Sequence, residues 1–146
     1  LSAEFVVADA SVLLKWYLHE DEPHRAQALQ LFAQFRSGRV RILLPELAMY
    51  ELGNRLIQLS ESGVRLFTDV ADLMTDIVHF EAADLKLMAQ SAARLRRSGF
   101  KKVTLYHCAY IHLARLTNSP LITADRLQAA AGRMLNISVI PIENYV

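Results

Sequence analysis

FVVADAS, Phe5 to Ser11, reads as a strand that hands a carboxylate to the helix after it. Phe5, Val6, Val7 and Ala8 form a short apolar run, Asp9 follows, and from Val12 the apolar residues recur at a helical interval. In an open α/β sheet, ligands bind outside the carboxyl ends of the strands, so an acid at such a junction stands where chemistry is usually done. Asp is also a favoured N-cap, and Asp9 serves equally well as the cap of the next helix.

Outward from this stretch, strands and helices alternate. The spacing predicts helices over Val12 to Leu18, His24 to Phe35, Glu46 to Ser60, Leu66 to Met74, Ala82 to Arg97, Thr104 to Asn118 and Arg126 to Met134. Short apolar runs predict strands at Arg41 to Leu44, Ile77 to Phe80, Leu121 to Thr123 and Ile137 to Ile140. Alternation of this kind implies parallel pairing with helices on both faces of the sheet. No repeat, linker or low-complexity segment interrupts the pattern.

At 146 residues, 53% of them hydrophobic, the chain is long enough for one sizeable core and too short for two comfortable domains, so residues 1–146 are expected to form one domain. Mean hydropathy is +0.18, yet charges break every apolar run well short of the roughly 18 residues a membrane span needs. No secretory signal is visible, and the single Cys108 excludes an internal disulfide, which agrees with a cytoplasmic protein. The net charge of +1 hides an asymmetry. From Leu85 to Ala124 there is no acid, while Lys86, Arg94, Arg96, Arg97, Lys101, Lys102 and Arg115 are basic. Arg96, Arg97, Lys101 and Lys102 are candidates for meeting a phosphate backbone, although basic residues are more often a solvated helix face.

Asp125, in ITADR, repeats the description of Asp9: a short strand before it and a helix after it. If both strands are central, two carboxylates stand side by side, and one must protonate unless a cation lies between them. Mg²⁺ is held in this way by a few carboxylate oxygens, water and phosphate. Glu51, on a helix that follows a strand, is a candidate third ligand, with Asn54 at i+3 on a neighbouring position. Cys108 and His112 lie at i and i+4, a weak metal signal without further partners, and Cys108 is expected to be a small buried residue. Trp16 and Tyr17 are expected to pack rather than to stack on a base. Paired acids at the first strand end would suggest a phospho-accepting receiver domain, but Glu4 precedes that strand and only Asp9 closes it.

The stretches VVADASVLLKW (Val6 to Trp16), PELAMYELGNRL (Pro45 to Leu56), VTLYHCAYIHLARL (Val103 to Leu116) and SPLITADRLQ (Ser119 to Gln128), in this order and spacing, resemble the PIN-domain family, and in particular the VapC toxins of toxin–antitoxin pairs. The similarity covers nearly the whole chain. It implies a Rossmann-like α/β/α sandwich with a central parallel β-sheet, and cleavage of RNA phosphodiesters by water that Mg²⁺ or Mn²⁺ activates. By position it implies that Asp9, Glu51 and Asp125 hold the metal and that Ser11, Asn54 and Thr123 support them. It also implies a VapB-like antitoxin partner and a homodimer. One position departs: where the family has an acid in its third motif, this chain has His107. His107 is expected at N3 of a helix capped by Thr104, where a neutral imidazole is favoured, as ligand, as base or as a bystander. The departure leaves a second reading, a PIN fold that binds RNA or a partner without cutting.

Overall fold

The computed structural model describes residues 2–18, 21–59, 62, 65, 66, 68, 70, 71, 75, 77–80 and 84–146, with 78–80 as backbone. His19, the side chain of His79 and most of the helix expected over residues 66–74 lie outside the described residues.

Five parallel strands form one sheet in the order β3-β2-β1-β4-β5: β1 (Glu4–Ala8), β2 (Val40–Pro45), β3 (Val78–Phe80), β4 (Leu121–Thr123) and β5 (Val139–Pro141). The helices α1 (Ala10–Leu14), α2 (Arg25–Arg36), α3 (Leu47–Leu59), α4 (Leu85–Arg97), α5 (Leu105–Thr117) and α6 (Arg126–Met134) cover both faces, as an α/β sandwich requires. Central parallel strands lose water on both sides, so they read as unbroken apolar runs. Val6, Val7 and Ala8 of β1 and Ile42 to Leu44 of β2 are buried accordingly.

The chain builds outward from β1 in two directions, first to β2 and β3, later to β4 and β5. The order therefore reverses between β1 and β4, the switch point at which open α/β sheets leave a crevice. Ala8 pairs with Ile122, and the Asp9 amide continues the ladder with a 2.9 Å bond to the Ile122 carbonyl. Asp9 thus stands beside Thr123, and Asp125 follows two residues on.

Helix boundaries differ from expectation for local reasons. α1 stops at Leu14, not Leu18, because Trp16 turns into the core, where its Nε1 donates to the Ala28 carbonyl at 2.8 Å and its ring meets Phe32 and Phe35. α4 starts at Leu85, since the Asp84 carboxylate accepts from the amides of Lys86 and Leu87 and caps it there. β5 starts at Val139, not Ile137. The amide of Ile137 is spent on the Gly132 carbonyl (3.1 Å) and that of Asn136 on Arg133 (3.0 Å), with Asn136 in the left-handed region at φ 60°. That is a Schellman ending for α6, and it folds Ile137 and Val139 back over Gly132.

A Cβ at Gly132 would lie 2.8 Å from Val139 Cγ2 and 3.2 Å from Ile137 Cδ1. Gly132→Ala gains about 1 kcal/mol of helix propensity but overpacks a branched side chain that cannot swing away, at a cost of about 1–3 kcal/mol. Thermal unfolding is expected to show a lower Tm for Gly132→Ala; a higher Tm would mean that β5 yields freely.

Candidate active site

Two hydrogen bonds stitch the ends of β1 and β4 together, and two local ones steady the groups that make them. Thr123 Oγ1 donates to Asp9 Oδ2 at 2.7 Å and accepts from the Asp125 amide at 3.0 Å. Ser11 Oγ accepts from the Ala124 amide at 3.2 Å, and the Ser11 amide donates to Asp9 Oδ1 at 3.3 Å. Asp125 also caps α6, its Oδ1 accepting from the Gln128 amide at 3.0 Å. Asp9 and Asp125 are therefore caps and cleft acids at once, and neither sequence reading of Asp9 excludes the other.

The remaining walls come from α3 and α5, with Leu14, Lys15 and Glu22 beside them. Glu51 is half-buried, and its Oε1 accepts from Tyr110 OH at 2.8 Å. His107, one turn before Tyr110, has Nδ1 3.0 Å from the Thr104 amide, which donates to it, and Nε2 3.6 Å from Asp125 Oδ2. Asp9, Glu51, His107 and Asp125 all line one cleft of about 420 Å³. Ser11 lines it too, and Thr123 reaches it through Asp9.

Asn54 does not join them. It is exposed and lies outside the cleft lining, whereas Arg55 lines it. At about 100° per residue, i+4 sits roughly 40° from Glu51 on the side of Leu52, and i+3 sits roughly 60° away on the other side. The cleft faces the Leu52 side. The basic residues also stand apart: none of Arg94, Arg96, Arg97, Lys101 and Lys102 lines the cleft, and Arg96 Nη1 donates to the Val103 carbonyl at 3.2 Å. The cations that do line it are Arg55, which makes no hydrogen bond or ion pair among the described residues, and Lys15, buried and paired with Glu22 at 2.8 Å. Arg55, Lys15, Tyr110 and Gln128 were missed in the sequence. Helical spacing from Glu51 and His107 was the available signal for Arg55 and Tyr110. Cys108 is fully buried, which pushes its thiol up to about 11, and His112 Nε2 lies 3.1 Å from Ser91 Oγ.

Burial pushes the Asp9 carboxyl above its ordinary 3.8 despite the hydrogen bonds from Thr123 and Ser11, and the charge of Asp125 adds to the rise. Burial likewise raises Glu51 above 4.5, against the Tyr110 hydrogen bond, with the charge of Asp9 adding to it. The Tyr110 hydroxyl is driven well above 10 by burial and by these two acids. Such an excess of negative charge fits a hard divalent cation. Among the described residues, no three His, Cys, Asp or Glu side chains are grouped closely enough to hold an ion by themselves. Mg²⁺ asks for less, because it takes one or two carboxylates and completes its shell with water and substrate phosphate.

The PIN domain family model matches residues 6–134. No curated protein matches the chain. Among crystal structures, PAE2754 from Pyrobaculum aerophilum is similar with a TM-score of 0.68 at 18% identity, over 98% of this chain and 92% of that one. FitAcB from Neisseria gonorrhoeae is similar with a TM-score of 0.71 at 8% identity, over 94% and 98%. VapC20 from Mycobacterium tuberculosis is similar with a TM-score of 0.67 at 17% identity, over 87% and 95%. At these identities the likeness is one of fold.

The raised acids set a pH dependence. A carboxyl whose folded pKa is raised confers stability that is complete below its ordinary value and is lost as pH rises through the raised one. At pH 7, then, keeping the Asp9 carboxyl buried costs the fold stability. Asp9→Asn keeps one acceptor for the Ser11 amide and one donor for Thr123, and is expected to raise Tm at pH 7 by about 3–6 °C. Calorimetry at low pH should show that gain vanish below about pH 4; a gain that persisted there would give it another cause.

Proposed function

Because this chain belongs to the PIN domain family, we propose that it is a VapC-like endoribonuclease, the toxin of a toxin–antitoxin pair, which cleaves RNA phosphodiesters with a divalent metal. The observation that carries this reading is the meeting of Asp9, Asp125 and Glu51 in one cleft at the β1/β4 switch point. Among similar folds, VapC20 is described as a toxin that cleaves the sarcin-ricin loop, and VapBC2 from Rickettsia felis was crystallised with a promoter DNA fragment. A VapB-like antitoxin, a homodimer and a cytoplasmic location complete the proposal. Among the described residues no helix is long and apolar enough to cross a membrane.

Asp9, Glu51 and Asp125 supply the carboxylates for Mg²⁺ or Mn²⁺. When bound, such an ion lowers the pKa of a water and steadies the leaving oxygen of a phosphodiester. The chain itself does the positioning. Thr123 and Ser11 fix Asp9, Tyr110 fixes Glu51, and the α6 amide of Gln128 fixes Asp125. Arg55 is the cation open to a phosphate, and the exposed ring of Tyr106, also in the cleft lining, offers a face to a base. His107, standing where the family has an acid, favours the second reading, a fold that binds RNA without cutting.

Purified protein is expected to cleave RNA with Mg²⁺ or Mn²⁺, to stop on addition of EDTA, and to lose more than about 100-fold in rate with Asp9→Asn. Tight RNA binding without cleavage under either metal would select the binding module.

Arg55→Ala is expected to weaken RNA binding and to flatten the dependence of log affinity on log salt by about one unit. If instead Arg97, Lys101 and Lys102 carry the contact, their substitution will flatten the slope and that of Arg55 will not.

A further inference from the structure

We propose that His107 serves this cleft as a hydrogen-bond donor and not as a metal ligand, so that the ion of the proposed function is left to the carboxylates. The tautomer stands on hydrogen-bond geometry alone, whereas the choice of ligands rests on the metal-dependent function proposed above.

The backbone amide of Thr104 points at His107 Nδ1 from 3.0 Å. A backbone N–H can neither rotate nor accept, so Nδ1 must present its lone pair. The Thr104 hydroxyl lies at the same distance, but its proton rotates to suit either partner and decides nothing. A neutral imidazole has one proton, which is therefore on Nε2. Nε2 lies 3.6 Å from Asp125 Oδ2, just beyond hydrogen-bond reach. Ligation through Nε2 would move the proton to Nδ1, set two N–H groups against each other and orphan the amide at the start of α5.

Gln128 holds this arrangement together. It is completely buried; its amide donates to Asp125 Oδ1, and its Nε2 donates to the His107 carbonyl at 3.1 Å. The first turns of α5 and α6 are thereby tied, and His107 and Asp125 are carried on the two tied turns. Engagement at the α6 cap does not set Asp125 apart from the other acids, since both oxygens of Asp9 also accept hydrogen bonds, from Thr123 and from the Ser11 amide. Replacing the family acid by His107 has thus turned an acceptor into a donor at this corner.

Two measurements on the full chain test this. Long-range ¹H–¹⁵N NMR, with His107 assigned by its loss in His107→Gln, is expected to find Nδ1 unprotonated both without Mg²⁺ and at saturating Mg²⁺. An unprotonated Nε2 in either state would overturn the donor role. Mg²⁺ and Mn²⁺ calorimetry is expected to show Asp9→Asn and Glu51→Gln each losing more than about tenfold in affinity, and His107→Gln less than about threefold, since Gln keeps a donor at this position. His107→Asp is expected to raise Mg²⁺ affinity, because it adds a carboxylate. A loss in His107→Gln equal to that in Glu51→Gln would overturn the choice of ligands. If the wild-type protein bound neither metal, the metal-dependent function would fall, and the tautomer would still uphold or overturn the role of His107.

Discussion

One hydroxyl, Thr123 Oγ1, holds the two halves of the cleft in register. It donates to Asp9 at the end of β1 and accepts from the amide of Asp125 beyond β4, so a single atom sets the spacing between two acids on neighbouring strands. The bond is buried, and its donor side partly offsets the cost of keeping Asp9 out of water. Because β1 and β4 flank the reversal in strand order, the same contact also closes the sheet at its switch point. Glu51 and Tyr110 make a second such pair across the cleft, between α3 and α5. The cleft is thus held by polar contacts, two of which tie elements far apart in sequence.

Much of this was legible in the residues. The apolar run before Asp9 and its echo before Asp125 carry the sheet, because buried parallel strands must be continuously apolar and their ends must be polar. β4 and α6 begin and end at the expected residues. What was not legible depends on rotation and on competition for hydrogen bonds. Helical spacing alone leaves Asn54 and Arg55 nearly equivalent about Glu51; only the side from which the sheet approaches distinguishes them. The end of α1 depends on Trp16 finding the Ala28 carbonyl, a contact no local pattern contains. Ile137 looks like a strand residue and is one in type, yet its amide closes the preceding helix.

Charge also arranges itself differently in space than along the chain. The acid-free segment from Leu85 to Ala124 suggests a basic surface at the site, but its arginines and lysines lie elsewhere and Arg96 is occupied in tying α4 to the turn before α5. Within the cleft, Lys15 is buried against Glu22 and largely cancels it. A buried ion pair contributes little net stability and more to holding a loop in one place. Here it holds Glu22 against Lys15 at the cleft wall.

The Thr123–Asp9 contact joins residues 114 positions apart. While the chain is being made on a ribosome, β1, α1 and α3 emerge early with Asp9 and Glu51, but β4, which completes the sheet beside β1, emerges late, followed by Asp125 and Gln128. Parallel pairing between such distant segments is slow to form and cannot be anticipated by local structure. A nascent or prematurely ended chain therefore carries two of the cleft's acids without β4 to set them. Order of synthesis becomes a safeguard, in that the cleft is assembled only once β4 and the start of α6 have left the machinery that produced them.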